Sequence, residues 1–251
     1  MTKKTGVGFL LSLVFVVSTC SSAFSQTLFK QGNSYASLSL GLTFLNDIDF
    51  SADASAGNHT VNAAGELTFD TGASAGVTIG YILSNLVRTE LELGYTEMDY
   101  DEVKGELTLT SGGNTLATVG GAAALSGEIE TLNGLASVIF TPSASGLEGV
   151  PFLHLLSDLL GNFTPLVGGG IGFSDWESKI NSATTSGGTL TINGEESDTD
   201  FLAAALVGLE YNVGQNLTAA VTYRHLWIDS GKNGVDDAEA DNVSASLAYR
   251  F

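Results

Sequence analysis

The chain has 251 residues, of which 31 are Gly and 3 are Pro; 43% are hydrophobic and only 15% are charged. This composition is too apolar for a disordered acidic segment, and the absence of a three-residue Gly period excludes a collagen-like chain. The 28 acidic and 9 basic residues give a formal net charge of −19, so the chain lacks the electrostatic basis for binding nucleic acid. A single Cys excludes an internal disulfide and a zinc–cysteine cluster.

The N-terminal segment has the three parts of an export signal. Lys3 and Lys4 form a basic start, and residues 6–17 are uncharged and mostly apolar. Small residues follow, ending in Ala23-Phe24-Ser25, and this pattern predicts cleavage after Ser25. The apolar run is too short for a membrane-spanning helix, which needs about 20 residues.

The predicted organisation is therefore a cleaved signal peptide over residues 1–25 and one domain over residues 26–251. Lipidation at Cys20 is the alternative to simple cleavage. It is disfavoured because Thr19 is bulkier than the small residue that usually precedes a lipidated Cys.

After residue 25 the recurring pattern has a period of two. In the first such segment, Leu38, Leu40 and Leu42 alternate with small or polar residues. The pattern predicts strands with one apolar face and one small or polar face. No apolar stretch of about 18 residues follows, which excludes helical membrane spans. Eight windows carry the pattern, at about 34–46, 66–82, 86–98, 129–141, 163–176, 199–213, 216–229 and 240–251.

The connections between these windows alternate in length. Tight turns are predicted at Ser84-Asn85 and Gly214-Gln215, and a longer connection, 142–162, holds an amphipathic helix over residues 152–160. On the other side the connections are predicted as long loops, at 47–65, 99–128, 177–198 and 230–239. The fold class predicted is all-β: an eight-stranded antiparallel up-and-down barrel, which closes on itself and leaves no free edge.

The two faces of the strands decide between a soluble and a transmembrane barrel. Eight strands enclose a space just wide enough for side chains, so large apolar groups from every strand would overfill it. We therefore expect a transmembrane barrel with a polar interior, whose apolar face contacts lipid. The alternative is a soluble ligand-binding barrel of lipocalin type, with its apolar face inside.

Six charged residues on the polar faces form the first candidate site. A buried charge without a partner is unfavourable, so we expect these residues to form a network inside the barrel. The network either plugs and stiffens the lumen or gates a narrow pore by exchanging partners. A wide channel is not expected, because porins need 16–18 strands. The residues are Arg88, Glu90, Glu92, Glu210, Arg224 and Arg250.

Acidic residues concentrate at the end with the long connections, which holds 22 of the 28. Long loops of such barrels face the cell exterior and short turns face the periplasm. The acidic end is therefore predicted to lie outside the cell. Its paired carboxylates, such as Asp47 with Asp49, suggest either a solvated, mutually repelling surface or weak Ca²⁺ or Mg²⁺ binding that bridges to lipopolysaccharide.

Three motifs resemble one known family. They are the terminal Tyr249-Arg250-Phe251, the glycine-rich segment 163–172 and Tyr223-Arg224-His225. The chain resembles the bacterial outer-membrane β-barrel family of OmpA/OmpX type, which includes porin-family and surface-antigen barrels. The resemblance implies outer-membrane localisation, a monomer, and recognition of Phe251 and Tyr249 by the barrel-assembly machinery.

A structural or adhesive role at the cell surface, exercised through acidic loops and an extracellular ligand, is the function predicted. A small diffusion porin is the alternative. A lipid-modifying enzyme is a remote alternative, for which His225 with Ser230 would be the candidate pair. No catalytic residue, cofactor or metal site is predicted, because no motif flanks a nucleophile and the carboxylate spacing does not match an EF-hand loop.

Overall fold

The computed structural model describes residues 33–56, 59–111, 114–141, 163–185, 188–229 and 237–251. The predicted signal peptide, the predicted helix at 152–160, Cys20 and Ser230 lie outside these residues. Within them there is no helix long and apolar enough to cross a membrane.

The described chain folds into ten strands where the sequence pattern predicted eight. Their bounds are β1 Ser34–Leu45, β2 Ile48–Ala56, β3 His59–Phe69, β4 Gly72–Ile82, β5 Val87–Ser111, β6 Asn114–Phe140, β7 Phe163–Thr185, β8 Gly188–Asn212, β9 Leu217–Asp229 and β10 Ala238–Arg250.

Eight of these strands close into a hydrogen-bonded ring in the order β1, β4, β5, β6, β7, β8, β9, β10, and every pairing is antiparallel. β1 and β10 close the ring, in a register that runs from Tyr35 opposite Arg250 to Leu45 opposite Ala240. The predicted eight-stranded antiparallel ring is therefore confirmed. Closure leaves the ring itself without a free edge.

Three predicted long loops are β-structure instead. β2 and β3 form a hairpin that pairs with the far half of β5, and β5 to β8 continue well beyond the ends of β9 and β10. We call this extension the crown and define it as residues 48–69, 100–128 and 175–200. The opposite end of the ring is called the turn end.

Local sequence explains the crown strands. Thr and Leu alternate in Leu107-Thr108-Leu109-Thr110, which favours a strand. In the sequence, Gly57-Asn58 comes between the segments that form β2 and β3, and Gly112-Gly113 between those that form β5 and β6; such dipeptides are typical hairpin signals. The sequence prediction was wrong here because it treated polar, glycine-containing segments as loops.

The two short turns lie at the turn end, as predicted. The Ser84 Oγ accepts hydrogen bonds from the backbone N–H groups of Leu86 and Val87, both at 3.2 Å. The second turn is closed by backbone hydrogen bonds from Val213 and Gly214 to the carbonyl of Leu217. These connections hold neighbouring ring strands in antiparallel register.

Alternating residues of the ring strands point to opposite faces, as the period-two sequence pattern predicts. On the outer face, Leu38, Val221 and Leu247 are 47%, 58% and 50% exposed. On the inner face, the side chains of Arg88 and Arg224 are each only 16% exposed. The apolar stripe therefore surrounds the ring, and the charges lie within it.

The inner face also carries two apolar clusters that the sequence prediction of a polar interior did not include. One contains Leu135, Leu202 and Leu226, and the other Ile139 and Leu166 together with Leu206. Large side chains fit on this side because the inner face of β7 carries glycines between Leu166 and Ser174.

Two glycines of β7 show how the apolar side chains fit. A Cβ atom on Gly168 would lie 3.0 Å from Cγ1 of Ile139, and one on Gly170 would lie 3.1 Å from Cγ of Leu135. Glycine thus leaves room for the large side chains of the neighbouring strand β6. The interior is therefore mixed, with charges on one side and apolar groups on the other.

Candidate functional site

The predicted charge cluster is assembled from three strands of the ring. Alternation places Arg88, Glu90 and Glu92 at successive inward positions of β5, while Glu210 comes from β8 and Arg224 from β9. The structure brings these five predicted residues into contact with one another. Their partners come from distant parts of the chain, because ring closure sets strands β8 and β9 opposite β5.

Arg224 and Glu92 form the most regular contact of the cluster. Nη1 and Nη2 of Arg224 donate to Oε1 and Oε2 of Glu92 at 2.6 and 2.7 Å. A guanidinium and a carboxylate joined by two parallel hydrogen bonds form a strong, directional pair. The pair spans the inside of the ring between β9 and β5.

Arg88 contacts two carboxylates. Its Nη1 donates to Oε2 of Glu210 at 2.6 Å, and its Nε lies 3.1 Å from Oε1 of Glu90. The guanidinium also lies over the ring of Tyr35, with 5.4 Å from Cζ to the ring centroid, which is a cation–π contact. The charges of this group are therefore held by partners on β1, β5 and β8.

Tyr35 is a member of the cluster that the sequence analysis missed. Its hydroxyl donates to Glu90, and its side chain is buried. Its ring occupies space opposite Gly80, where an added Cβ would collide with it. Its sequence position could have indicated this, because Tyr35 lies two residues before Ser37, on the polar face of the first strand window.

Arg250 lies apart from the ion pairs. It lines the cavity beside the cluster, but it is exposed and, among the described residues, forms no ion pair. Its membership of the charge network therefore stays a prediction. Arg250 holds the last position of β10, at the turn end, where solvent can hydrate the guanidinium.

The space around the cluster is small. A cavity of about 70 Å³ is lined by side chains from all eight strands of the ring. A second cavity, of about 40 Å³, lies on the crown side. Both are lined by Glu92 and Arg224, so this ion pair lies between them. Space of this size holds a few water molecules and not a continuous wide path.

The predicted assembly signal occupies the closing strand. Tyr249 and Phe251 are 54% and 38% exposed. The N–H of Phe251 donates to the carbonyl of Ser34 at 3.0 Å, which ties the chain end to β1. The pair thus lies on the outer face of the strand that completes the ring.

His225 lies on the outer face near the crown end. Its Nδ1 is 2.8 Å from Oδ1 of Asp241, which also accepts a hydrogen bond of 2.6 Å from the hydroxyl of Tyr223. The ring of His225 meets that of Trp227 edge-on, with 4.5 Å between centroids. The imidazole of His225 therefore contacts a carboxylate and an aromatic ring. The sequence analysis did not predict either contact.

No three His, Cys, Asp or Glu side chains converge into a metal site within the part of the chain that the structure describes. The paired carboxylates at the acidic end of the ring include exposed ones. Asp47 and Asp49, for example, are both exposed.

Comparison with known proteins assigns the family. The chain matches the family model described as outer membrane protein beta-barrel domain over residues 11–251. No curated protein matches it in sequence.

Solved structures similar to the chain include Neisserial surface protein A, at 13% identity and a TM-score of 0.46, with 88% of this chain and 98% of that chain covered. Ail, the attachment invasion locus protein of Yersinia pestis, was solved with the heparin analogue sucrose octasulfate; it is 12% identical, with a TM-score of 0.41 and coverage of 87% and 99%. The outer membrane protein OprG from Pseudomonas aeruginosa is 12% identical, with a TM-score of 0.44 and coverage of 88% and 97%.

The family match confirms the resemblance predicted from the sequence motifs. Since the family model spans nearly the whole chain, the protein belongs to the outer membrane protein beta-barrel domain family and is a bacterial outer-membrane β-barrel.

Proposed function

We propose that this protein is a surface-displayed outer-membrane barrel whose lumen is plugged by ion pairs and whose acidic crown contacts an extracellular partner. The observation that carries the proposal is the Arg224–Glu92 pair, which lies between two cavities of about 70 and 40 Å³. With the lumen closed, the part of the molecule available for interaction is the crown. We place the crown outside the cell and both ends of the mature chain in the periplasm.

The charge of the crown supports a cationic partner. Exposed carboxylates include Asp49, Asp53 and Glu106 and, on β8, Glu195, Glu196 and Asp198. Such a surface attracts positively charged molecules over a range of about 10 Å at ordinary ionic strength. The matching partner is a basic surface of another protein or peptide.

The two lysines of the crown do not cancel its negative charge. Nζ of Lys179 lies 2.6 Å from Oε1 of Glu177, and Nζ of Lys104 lies 3.3 Å from Oε2 of Glu102. The hydrogen bond and charge of Lys179 lower the pKa of the Glu177 carboxyl, so this pair stays ionised at neutral pH. Each lysine lies beside one acidic neighbour, and the acidic residues of the crown outnumber its two lysines.

The binding test uses purified protein in nanodiscs of zwitterionic lipid, titrated with a lysine-rich peptide at low and high salt. The triple variant Glu195→Gln, Glu196→Gln, Asp198→Asn should weaken binding at least threefold and reduce its salt dependence. A matched control, Thr189→Ala, Thr191→Ala, Thr199→Ala, changes the same strand without changing its charge. Equal binding by wild type and the charge variant would contradict the surface role.

A small diffusion pore is the second candidate, and the stacking of cavities favours it. The cavity of about 40 Å³ also shares Thr43, Thr96 and Leu226 with a larger cavity at the base of the crown. A solute path through the lumen would therefore need only local side-chain movements, beginning with the separation of Arg224 from Glu92. Conductance across a lipid bilayer distinguishes this candidate from the plugged barrel.

The barrel wall supports the remaining partners. Its outward apolar side chains are suited to lipid and to lipopolysaccharide acyl chains. We assign recognition by the barrel-assembly machinery to Tyr249 and Phe251. A monomer suffices for all of these roles.

A further inference from the structure

A large cavity lies at the base of the crown, separate from the charge cluster. Its volume is about 250 Å³. Its wall is predominantly apolar and includes Leu45, Leu67, Phe69, Met98, Ile180 and Ile228. Enclosed, mostly apolar spaces with a few polar groups are the usual sites for small molecules.

The cavity is bounded toward the turn end by packed side chains. Leu226 lines it and belongs to the buried cluster with Leu135 and Leu202. The Arg224–Glu92 pair lies below this cluster and lines only the two smaller cavities. A molecule in the crown cavity would therefore contact neither arginine of the charge cluster.

Two oxygens in the cavity wall have no protein partner. Ser174 is fully buried, and its Oγ forms no hydrogen bond with any described residue. Oδ1 of Asn133 is likewise buried and unpaired among the described residues. Both residues line the cavity. Buried polar atoms without partners are unfavourable, and a ligand that donates a hydrogen bond would satisfy them.

Other polar groups of the wall are already engaged. Nε1 of Trp176 donates to Oδ2 of Asp200 at 2.7 Å, and the hydroxyls of Tyr100 and Ser178 are 2.8 Å apart. The buried oxygens of Ser174 and Asn133, by contrast, have no hydrogen-bond partner among the described residues.

The charges of the wall select against anions. Asp200 and Glu196 line the cavity, whereas no Lys or Arg is among its described lining residues. A carboxylate such as a fatty acid would be repelled and would find no cation to pair with. A neutral molecule that carries a hydroxyl or N–H group has no such penalty.

We propose that the crown cavity binds a small, neutral, apolar molecule carrying a hydrogen-bond donor, such as an aromatic alcohol. The apolar wall holds the ring system, and the oxygens of Ser174 and Asn133 receive the donated hydrogen bond. Binding at this site does not depend on the proposed surface role, because the groups that would hold the ligand are the apolar wall, Ser174 and Asn133; of the carboxylates assigned to the surface role, Glu196 also lines the cavity.

Met98 provides a specific reporter. The chain has two Met residues, Met1 and Met98, and Met98 is buried in the cavity wall. Full-length protein with ¹³C-labelled Met methyl groups, folded in nanodiscs, is titrated with 1-naphthol and separately with 1-naphthoate. A saturable shift of the Met98 methyl signal is expected with 1-naphthol and not with 1-naphthoate.

Three variants complete the test, each checked for folding by heat-modifiable gel migration. Ser174→Ala should weaken 1-naphthol binding roughly three- to tenfold, as expected for the loss of one neutral hydrogen bond. Ile228→Trp should fill the cavity and abolish the shift, whereas Val221→Trp, on the outer face of the same strand, should leave it unchanged. A shift that does not saturate, or that is the same in Ile228→Trp and Val221→Trp, would overturn the proposal. Ser174→Ala keeps the test valid if Ile228→Trp does not fold.

Discussion

Arg224 and Glu92 are 132 residues apart in the chain and are joined by two hydrogen bonds, at 2.6 and 2.7 Å, across the inside of the ring. The contact exists only when β9 and β5 occupy their places in a closed ring of eight strands. The same ion pair also lies between two internal cavities. Closure of the ring therefore brings together the side chains that block the lumen.

Removing one partner of this pair should strongly destabilise the barrel. In Glu92→Leu the guanidinium of Arg224 stays buried without a counter-charge, and we expect the free energy of unfolding to fall by about 3–5 kcal/mol. The double variant Glu92→Leu, Arg224→Met should recover most of this loss, because neither side chain then carries a charge.

Urea unfolding of the barrel in phospholipid vesicles measures these changes. Glu102→Gln, which removes the partner of exposed Lys104 in the crown, is the control and should leave the unfolding midpoint unchanged. A midpoint for Glu92→Leu equal to that of the wild type would show that the pair does not stabilise the ring.

The sequence predicted the faces of the strands and not the pairing of the charges. Alternation alone places Leu38 outside and Arg224 inside, because side chains of a strand point to opposite sides. Which carboxylate Arg224 meets depends on how the ring closes and on its register, and no local pattern contains that information. For the same reason the exposure of Arg250, at the last position of β10, could not be read from the alternation.

The crown was missed for a different reason. Its strands contain polar and small residues on both faces, so the contrast that identified the ring strands is weak there. The hairpin signals at Gly57-Asn58 and Gly112-Gly113 were present. The large cavity was not predictable, because it is formed by Phe69, Met98 and other residues from almost every strand.

Gly172 should tolerate no side chain. A Cβ atom at this position would lie 1.8 Å from the carbonyl oxygen of Gly134, a backbone atom of the paired strand. Gly172→Ala is expected to force β6 and β7 apart and to lower stability by about 1–3 kcal/mol or more.

The readout for Gly172→Ala is the fraction of protein that migrates as the compact form on an unheated gel. Gly121→Ala is the matched control, because an added Cβ there meets no atom within 4 Å. Similar compact fractions for the two variants would contradict the close packing of β6 on β7.

Phe251 should matter more for assembly than other exposed aromatic residues. If it carries the assembly signal, Phe251→Ala should reduce the amount of folded barrel in the outer membrane severalfold. Phe173→Ala removes an outward-facing Phe of similar exposure and should have little effect. Equal losses in the two variants would assign the effect to lost apolar area alone.

Orientation in the membrane can be tested with single cysteines. Because the only Cys of the chain, Cys20, lies in the predicted signal peptide, the mature protein should offer a background without thiols. A membrane-impermeant maleimide applied to intact cells should label Thr189→Cys in the crown and not Asn85→Cys in the turn. Labelling of Asn85→Cys in intact cells would reverse the orientation.

If ion pairs close the lumen, folded protein should not conduct ions, and single-channel recording in planar lipid bilayers measures this. Folded protein is added at a level at which insertion has been verified in parallel vesicles by heat-modifiable migration. We expect no reproducible conductance steps from the wild type. Reproducible steps from the wild type, altered in size by Glu92→Gln, would contradict closure of the lumen and would make the protein a small pore.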